Sequence, residues 1–369
     1  MATVLILFLG FIFVLVVMLW LISPGHPEAF RDDQGNILKG GSLSEKVFVS
    51  IGGVQQGMFI KSRNLGNPVL LYVHGGPAFP NYFLIEKFKP GLEDYFTVCY
   101  WEQRGGGLSY SPGMDIKSMT LEQLTSDAIE VSRYLCKRFG KEKIFILAHS
   151  GGTPIALSAV KRAPEHFCAY IAMAQISNQS ESEKRALEFM QKEFTARKDH
   201  RALEALAEFN GLQDPSDALA FHQSMIRDKY MHALGIGTMR NMKSIVWDIF
   251  IPSWECRAYT LEEKINIWRS KFSFLHKTNL QTEIMAANYP ESIPGIEVPV
   301  FFISGKYDLT VNFDLSFDYF ERLEAPYKRF FVFEHSAHSP LFEESGRFRE
   351  ILDHEILPAI EKTASHRQE

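Results

Sequence analysis

A short segment near the middle of the chain constrains the fold more than any other. Residues 144–148 are all apolar, and His149, Ser150 and two glycines separate them from Thr153-Pro154, where a helix can begin. An unbroken apolar run of this length is typical of a strand covered on both faces, as in a parallel sheet. A serine in the turn small-x-Ser-x-Gly adopts a strained backbone conformation, which small residues two positions away on either side permit. The segment therefore predicts an α/β protein with Ser150 as a candidate nucleophile.

The rest of the chain alternates between strand-like and helix-like patterns. Short runs rich in β-branched and aromatic residues predict strands, and several stretches between them have helical spacing. Between residues 179 and 292 this alternation stops, and the chain is helical and charged. We therefore expect a mostly parallel eight-stranded sheet covered by helices, formed by residues 46–178 and 293–369, with residues 179–292 inserted as a helical cap. The predicted strands are 47–51, 58–61, 68–73, 96–100, 143–148, 169–174, 299–303 and 329–333.

The N-terminus has a different composition from the rest of the chain. Residues 2–22 carry no charge and are almost wholly apolar. A helix of this length spans about 30 Å, the thickness of a bilayer's hydrocarbon core. A cleavable signal peptide would carry a basic residue before a shorter apolar run, and residues 21–24 make a poor cleavage site. We predict a single-pass anchor at residues 1–24, inserted in a lipid bilayer through residues 2–22, and a tether at 25–45; the flanking charges leave its sidedness open.

A glycine-rich segment after the third predicted strand suits the chemistry of an exposed serine. The motif His74-Gly75-Gly76-Pro77 lies where acyl-transfer enzymes with such a sheet keep a backbone N–H group for the oxyanion. Pro77 has no N–H group, so we expect Gly76 to be the donor, with Ala78 as the less favoured alternative. Gly151, directly after the serine, would supply the second donor.

Two residues near the C-terminus complete a candidate triad. A serine hydroxyl needs an imidazole to accept its proton and a carboxylate to orient that imidazole. Asp308 follows the seventh predicted strand, and His338 lies in the loop after the eighth. His335 comes too soon after its strand, whereas other nearby carboxylates fall within a helical pattern. We therefore predict Ser150, Asp308 and His338 as catalytic residues.

These segments resemble the proline iminopeptidase branch of the α/β-hydrolases. The resemblance rests on HGGP at 74–77, WEQRGGGLS at 101–109 and HSGG at 149–152, and it covers roughly residues 46–362. It implies the α/β-hydrolase fold, with the triad and the Gly76 and Gly151 donors in the roles given above. Two positions depart from the family pattern. Ala78 stands where the family usually has glycine, and Gly151 stands where it often has an aromatic residue. Peptidases of the family hold the substrate amine with cap glutamates, one of them in a Trp-Glu pair, which makes Trp254 and Glu255 candidates for substrate binding.

The sequence favours a membrane-anchored serine hydrolase that cleaves an ester or amide through an acyl-enzyme, including an aminopeptidase of the proline iminopeptidase type. A carboxylesterase or lipid hydrolase is the alternative, and a non-enzymatic binding protein on this scaffold is least favoured. The expected partner is a small molecule or short peptide. A net charge of −5, from 39 basic and 44 acidic residues, gives no reason to expect nucleic acid. No metal or cofactor is expected, because the four cysteines are far apart and no phosphate-binding loop is present.

Overall fold

The computed structural model describes residues 1–38, 40–209 and 211–365. Residues 39, 210 and 366–369, which fall in the predicted tether, cap and core, lie outside the described residues. The strands form one eight-stranded sheet in the order β1-β2-β4-β3-β5-β6-β7-β8. The first two pairings are antiparallel and the other five are parallel. The strands are β1 (Leu43–Ile51), β2 (Val54–Ser62), β3 (Val69–Val73), β4 (Thr97–Trp101), β5 (Ile144–His149), β6 (Phe167–Met173), β7 (Val300–Gly305) and β8 (Lys328–Phe333).

Helices cover the sheet on both faces, which is why its central strands are apolar throughout. Along β5, Ile146 and Ala148 belong to one buried cluster, while Phe145 and Leu147 belong to another. Alternate side chains of a strand point to opposite faces, so each cluster lies on its own side of the sheet. The expected α/β-hydrolase fold is therefore confirmed. The helices outside the cap are α1 (Ala2–Leu21), α2 (Tyr82–Phe88), α3 (Leu121–Phe139), α4 (Thr153–Arg162), α13 (Phe313–Arg322), α14 (Pro340–Glu343), α15 (Ser345–Ile351) and α16 (Leu357–Ser365).

The chain between β6 and β7 is helical and contains an apolar cluster of its own. Residues such as Met190, Phe221 and Met231 pack together there, apart from the two clusters of the sheet. The region also contains two π-helical turns, Val246–Phe250 and Ser270–Phe274, which lie directly before and after residues 251–269. Its helices are α5 (Gln179–Ala196), α6 (His200–Leu206), α7 (Pro215–His222), α8 (Met225–Leu234), α9 (Ile251–Glu255), α10 (Leu261–Arg269), α11 (Leu280–Ala286) and α12 (Tyr289–Ser292).

Helix α1 is long and apolar enough to cross a membrane. Its segment Val4–Leu21 has a mean hydropathy of 3.2, and none of it is buried against the rest of the protein. Length and composition of this kind are shared by membrane anchors and by N-terminal signal sequences.

The segment predicted as a tether is docked on the protein. Gly25 N–H donates to the Arg257 carbonyl in the cap at 3.1 Å. The Phe30 ring lies beneath the Arg63 guanidinium, 4.9 Å from its centroid, and β1 already begins at Leu43. Composition predicted a tether, because composition does not reveal contacts with residues that are far away in the sequence. The segment instead holds the end of α1 close to the cap.

Candidate active site

Ser150 occupies a tight turn between β5 and α4. Its φ of 52° lies in the left-handed region, which costs a non-glycine residue roughly 1–3 kcal/mol. The turn fits only because its neighbours are small: a Cβ atom at Gly152 would come within 2.5 Å of the Val73 carbonyl oxygen, and one at Gly75 within 2.8 Å of the Ser150 Cβ atom. The close approach of two backbone segments, the loop after β3 and the turn after β5, thus explains Gly75 and Gly152.

Three of the predicted residues line one cavity of about 130 Å³. Ser150, Gly76 and Gly151 share its wall with Pro77. Gly76 has a φ of 61°, a conformation that glycine adopts without strain. The short helical turn after the serine leads directly into α4, so the cavity lies near the N-terminal end of a helix. Free N–H groups and the positive end of the helix dipole favour negative charge there.

The loop that carries Gly76 is held in place by Gln103, a residue of the WEQRGGGLS motif at 101–109. His74 Nδ1 donates to the Gly75 carbonyl at 2.9 Å, and His74 Nε2 accepts the Gln103 N–H at 3.2 Å. The Gln103 side-chain amide donates in turn to the His74 carbonyl at 2.7 Å. Burial lowers the pKa of His74 to about 4, so the ring is neutral and can accept as well as donate. Gln103 therefore positions the loop opposite Ser150.

Asp308 and His338 are hydrogen-bonded. His338 Nδ1 lies 2.8 Å from Asp308 Oδ2, and both side chains are buried. The other carboxylate oxygen of Asp308 accepts the N–H groups of Thr310 and Val311 at 2.9 and 3.0 Å. The carboxylate is thus held in one orientation, with a single oxygen left for the imidazole. His335, by contrast, has an exposed side chain on the turn before this loop.

A second histidine joins the serine turn to the loop of His338. His149 Nε2 donates to the His338 carbonyl at 2.8 Å, and the two rings lie 4.8 Å apart. Burial lowers the pKa of His149 to about 3, which keeps it neutral. No hydrogen bond joins the Ser150 hydroxyl to His338 in the part of the chain that the structure describes. Such bonds are often long when no substrate is bound.

The loop of His338 is also held in place by Glu343 and by its close contact with Gly305. Glu343 accepts the N–H groups of Ala337 and Ser339 at 3.0 and 3.1 Å, on either side of the histidine. At Gly305, the last residue of β7, an added Cβ atom would lie 1.9 Å from the Ala337 carbonyl oxygen. The strand and the loop can therefore approach each other only because this residue has no side chain.

A buried polar network in the cap contributes two residues to the lining of the cavity, and sequence patterns did not reveal it. Glu183 is fully buried, and Arg227 contacts its two oxygens at 2.6 and 2.9 Å. His222 Nδ1 lies 2.7 Å from the same carboxylate. Burial raises the pKa of Glu183, but the charge of Arg227 and the bonds from both partners outweigh it and hold the pKa at about 2. Gln179 and His222 line the cavity itself.

Gln179 presents an acceptor with no partner. Its side-chain nitrogen donates to Glu183 at 2.9 Å and to the Thr310 carbonyl at 2.8 Å, which uses both amide hydrogens. This fixes the orientation of the amide, and the Gln179 Oε1 atom is buried without a hydrogen-bond partner among the described residues. The spacing of Gln179 and Glu183, one turn apart at the start of α5, was visible in the sequence, but nothing connected it with His222 or Arg227.

Trp254 and Glu255 lie elsewhere, so the placement expected for them is corrected. Glu255 is exposed, and neither residue is among those that line the cavity. Both belong to the short helix α9, which packs against α2. The Trp254 carbonyl accepts a hydrogen bond from Lys264 in α10 at 2.5 Å. The Trp-Glu pair matches the family pattern by residue type, but the path of the cap chain carries it to another surface.

The fold and the site define an α/β-hydrolase, and comparison with known proteins agrees. Residues 68–345 match the family model described as the alpha/beta hydrolase fold. The chain is 33% identical over 314 residues to the probable aminopeptidase YbaC of Bacillus subtilis (strain 168), covering 82% of this chain and 93% of that protein. The protein therefore belongs to the α/β-hydrolase fold family and is a hydrolase, and this relative supports its resemblance to the proline iminopeptidase branch.

Solved structures share the fold at low sequence identity. A proline iminopeptidase from Mycobacterium smegmatis superimposes with a TM-score of 0.63 at 15% identity, covering 87% of this chain and all of that one. The esterase EaEST from Exiguobacterium antarcticum gives a TM-score of 0.50 at 16% identity, covering 85% and 99%. Likeness at this level concerns the fold, which serves both peptidases and esterases.

Proposed function

We propose that the protein is a membrane-anchored serine hydrolase in which Ser150 is the nucleophile, His338 the general base and Asp308 the residue that orients it. The observation that carries this proposal is the buried hydrogen bond of 2.8 Å between His338 Nδ1 and Asp308 Oδ2, on a loop that His149 joins to the serine turn. With Nδ1–H held by the carboxylate, the other imidazole nitrogen is free to accept a proton.

The reaction would proceed in two halves. The Ser150 oxygen attacks the substrate carbonyl while its proton passes to His338 Nε2, and the N–H groups of Gly76 and Gly151 bind the oxyanion. His338 then donates that proton to the departing amine or alcohol, leaving an acyl-Ser150. A water molecule, deprotonated by the same imidazole, attacks the acyl group; the bond to the Ser150 oxygen breaks, this oxygen takes the proton back from His338, and the acid is released. Asp308 stays ionised throughout and stabilises the imidazolium.

Within this class, we propose an aminopeptidase. An acceptor on the cap wall favours a substrate that carries hydrogen-bond donors: Gln179 Oε1 is buried without a hydrogen-bond partner among the described residues. The free α-amine of a peptide supplies such donors close to the scissile carbonyl, whereas the acyl part of a simple ester supplies none. The probable aminopeptidase among the relatives points the same way.

An esterase is the second candidate, because apolar side chains make up much of the remaining wall. Ile176, Ile284, Met285 and Val311 line the cavity and would accept an acyl chain as readily as an amino-acid side chain. The two activities differ in their dependence on the substrate amine, and a direct comparison of substrates separates them.

The test compares kcat/KM for an aminoacyl p-nitroanilide, its N-acetyl analogue and a short p-nitrophenyl ester. We expect the free amine to be preferred over the acetylated compound, and the change Gln179→Met to raise KM for the free amine without raising it for the ester. The change Gln281→Met is the matched control, since Gln281 lines the same cavity but its carbonyl oxygen already accepts a hydrogen bond from Gln223 at 2.8 Å. Faster cleavage of the ester and the acetylated amide by the wild type would favour the esterase.

We further propose that residues 1–24 remain as an anchor, supported by the uncharged span Val4–Leu21. Carbonate extraction of membranes that contain the full-length protein should leave it in the pellet, with an intact mass that includes the first residues. Release into the supernatant, or a mature N-terminus beyond residue 24, would contradict the anchor.

A further inference from the structure

A group of exposed aromatic and aliphatic side chains lies on the cap, outside the candidate active site. Val246, Trp247 and Phe250 belong to the first π-helical turn and Phe272 to the second, and we call these four residues the cap patch. Trp247 is 69% exposed and Phe272 63%, although residues of this kind are usually covered. Large apolar side chains grouped on a surface mark a place where something else binds.

Two rings of the cap patch, those of Phe250 and Phe272, are joined through the ring of Trp268. The Trp268 ring lies 5.0 Å from that of Phe250 and stacks on that of Phe272 at 5.5 Å. Phe250 in turn contacts the ring of Trp254 at 6.0 Å. The two π-helical turns, far apart in sequence, therefore present one apolar face.

The cap patch lies beside the end of α1. Lys264 Nζ donates to the carbonyl of Ile22, the first residue after that helix, at 3.2 Å and to the carbonyl of Trp254 at 2.5 Å. Lys264 and Trp268 are four residues apart on α10, which places them one turn, about 6 Å, apart on the same side of the helix. The Gly25 hydrogen bond to Arg257 fixes the next residues of the chain to the same part of the cap.

We infer that the cap patch enters the interfacial region of the bilayer that holds α1. This inference rests on the proposed anchor. If Val4–Leu21 spans the bilayer, Ile22 lies at the bilayer surface. The part of the cap that is hydrogen-bonded to the chain at Ile22 then lies at the same surface. Exposed tryptophan and phenylalanine side chains are favoured at this depth, where a ring meets acyl chains while its edge stays near water.

Two features of the molecule favour a lipid surface over a soluble protein as the partner that covers the cap patch. The anchor brings this face to the bilayer without any tether that would let a protein come between them. The exposed charged residues that lie near the cap patch in the sequence are of both signs, Lys243 and Arg257 as well as Glu255 and Glu262, so charge does not favour one charged partner. The contact should therefore form on uncharged phosphatidylcholine.

Tryptophan quenching by brominated lipid tests this inference on the full-length protein. The protein is reconstituted in phosphatidylcholine vesicles with or without bromine atoms high on the acyl chains, and its emission is compared with that of the variants Trp247→Phe and Trp20→Phe. Trp20 lies in the last turn of α1 and reports on the anchor, whereas Trp247 reports on the cap patch. We expect bromine to quench both, so that each variant loses part of the quenched emission.

A matched control places a tryptophan at an exposed site of the core. The change Phe317→Trp, made together with Trp247→Phe, adds an indole on α13, where Phe317 is 40% exposed. Compared with Trp247→Phe alone, the emission that this added indole contributes should not be quenched by brominated lipid, although Trp20 in the same protein still is. Quenching of Trp20 but not of Trp247 would overturn the inference while leaving the anchor in place. If neither is quenched, the anchor itself is wrong and the inference fails with it.

Discussion

Exchanging Asp308 for asparagine should disable the imidazole without disturbing the loop that carries it. One carboxylate oxygen accepts the N–H groups of Thr310 and Val311, and the other accepts His338 Nδ1–H at 2.8 Å. In Asp308→Asn the amide oxygen keeps the two backbone N–H groups, and the amide NH₂ then faces His338. The imidazole must present its Nδ1 lone pair there, so its proton moves to Nε2, and Nε2 can no longer accept the Ser150 proton.

The size of the effect follows from the alternative orientation of the amide. Turning the asparagine over would restore the useful tautomer, but it would set the NH₂ group against two buried N–H donors. Leaving each unpaired costs roughly 1–3 kcal/mol, so the useful orientation is disfavoured by about 2–6 kcal/mol. At about 1.4 kcal/mol for each factor of ten, kcat/KM should fall between about 30-fold and about 10⁴-fold.

The assay is the rate of p-nitroanilide or p-nitrophenyl ester cleavage, together with the thermal unfolding midpoint. Asp308→Asn should unfold close to the wild-type temperature, because both backbone hydrogen bonds remain. Asp314→Asn, an exposed carboxylate on α13, is the control and should leave both quantities unchanged. A variant with normal stability and an activity within a few-fold of the wild type would refute the role of Asp308 in setting the tautomer.

Three further predictions concern the histidine loop and a buried carboxyl group. His338→Ala should abolish turnover, whereas His335→Ala, at an exposed position, should leave it nearly unchanged; comparable losses in both would contradict the assignment. Gly305→Ala places a Cβ atom 1.9 Å from a carbonyl oxygen of the histidine loop, so kcat/KM should fall by about 10²-fold; Gly346→Ala, where nothing lies within 4 Å, is the control, and equal rates in the two variants would contradict this reasoning. Burial raises the pKa of the Glu102 carboxyl from its ordinary value of 4.5 to about 8, so the stabilising contribution of the protonated form is complete below pH 4.5 and is lost as the pH rises to about 8. The unfolding midpoint should therefore fall between pH 4.5 and 8 in the wild type and fall less in Glu102→Gln. An equal fall in both proteins would exclude this carboxyl as the cause.

The sheet could be predicted from the sequence because its signals are local. Each predicted strand corresponds to an observed one, since a strand covered on both faces is apolar throughout, as 144–148 is. Ser150, Gly76, Asp308 and His338 could be proposed as site residues for a related reason. Each lies in the turn or loop that follows a strand, and the carboxyl ends of parallel strands meet at one edge of the sheet.

The packing inside the cap could not be predicted in this way because its contacts join distant residues. The ion pair of Glu183 with Arg227 spans 44 positions, and helical periodicity does not say which faces of two helices meet. The same limit explains Trp254 and Glu255, whose residue types matched a family pattern while the chain placed them on another surface. The hydrogen bond from Lys264 to Ile22 spans 242 positions, so the segment after α1 could only be predicted as a tether.

Labelling with a fluorophosphonate probe tests the central claim most directly, because such probes react with serine hydroxyls that an adjacent base activates. The folded full-length protein is treated with the probe, and its intact mass and peptide map are measured, with heat-denatured protein as the control. The expected result is a single adduct on the peptide that contains Ser150, absent from Ser150→Ala and from the denatured sample. An adduct on another residue, or one that persists in Ser150→Ala, would contradict Ser150 as the nucleophile.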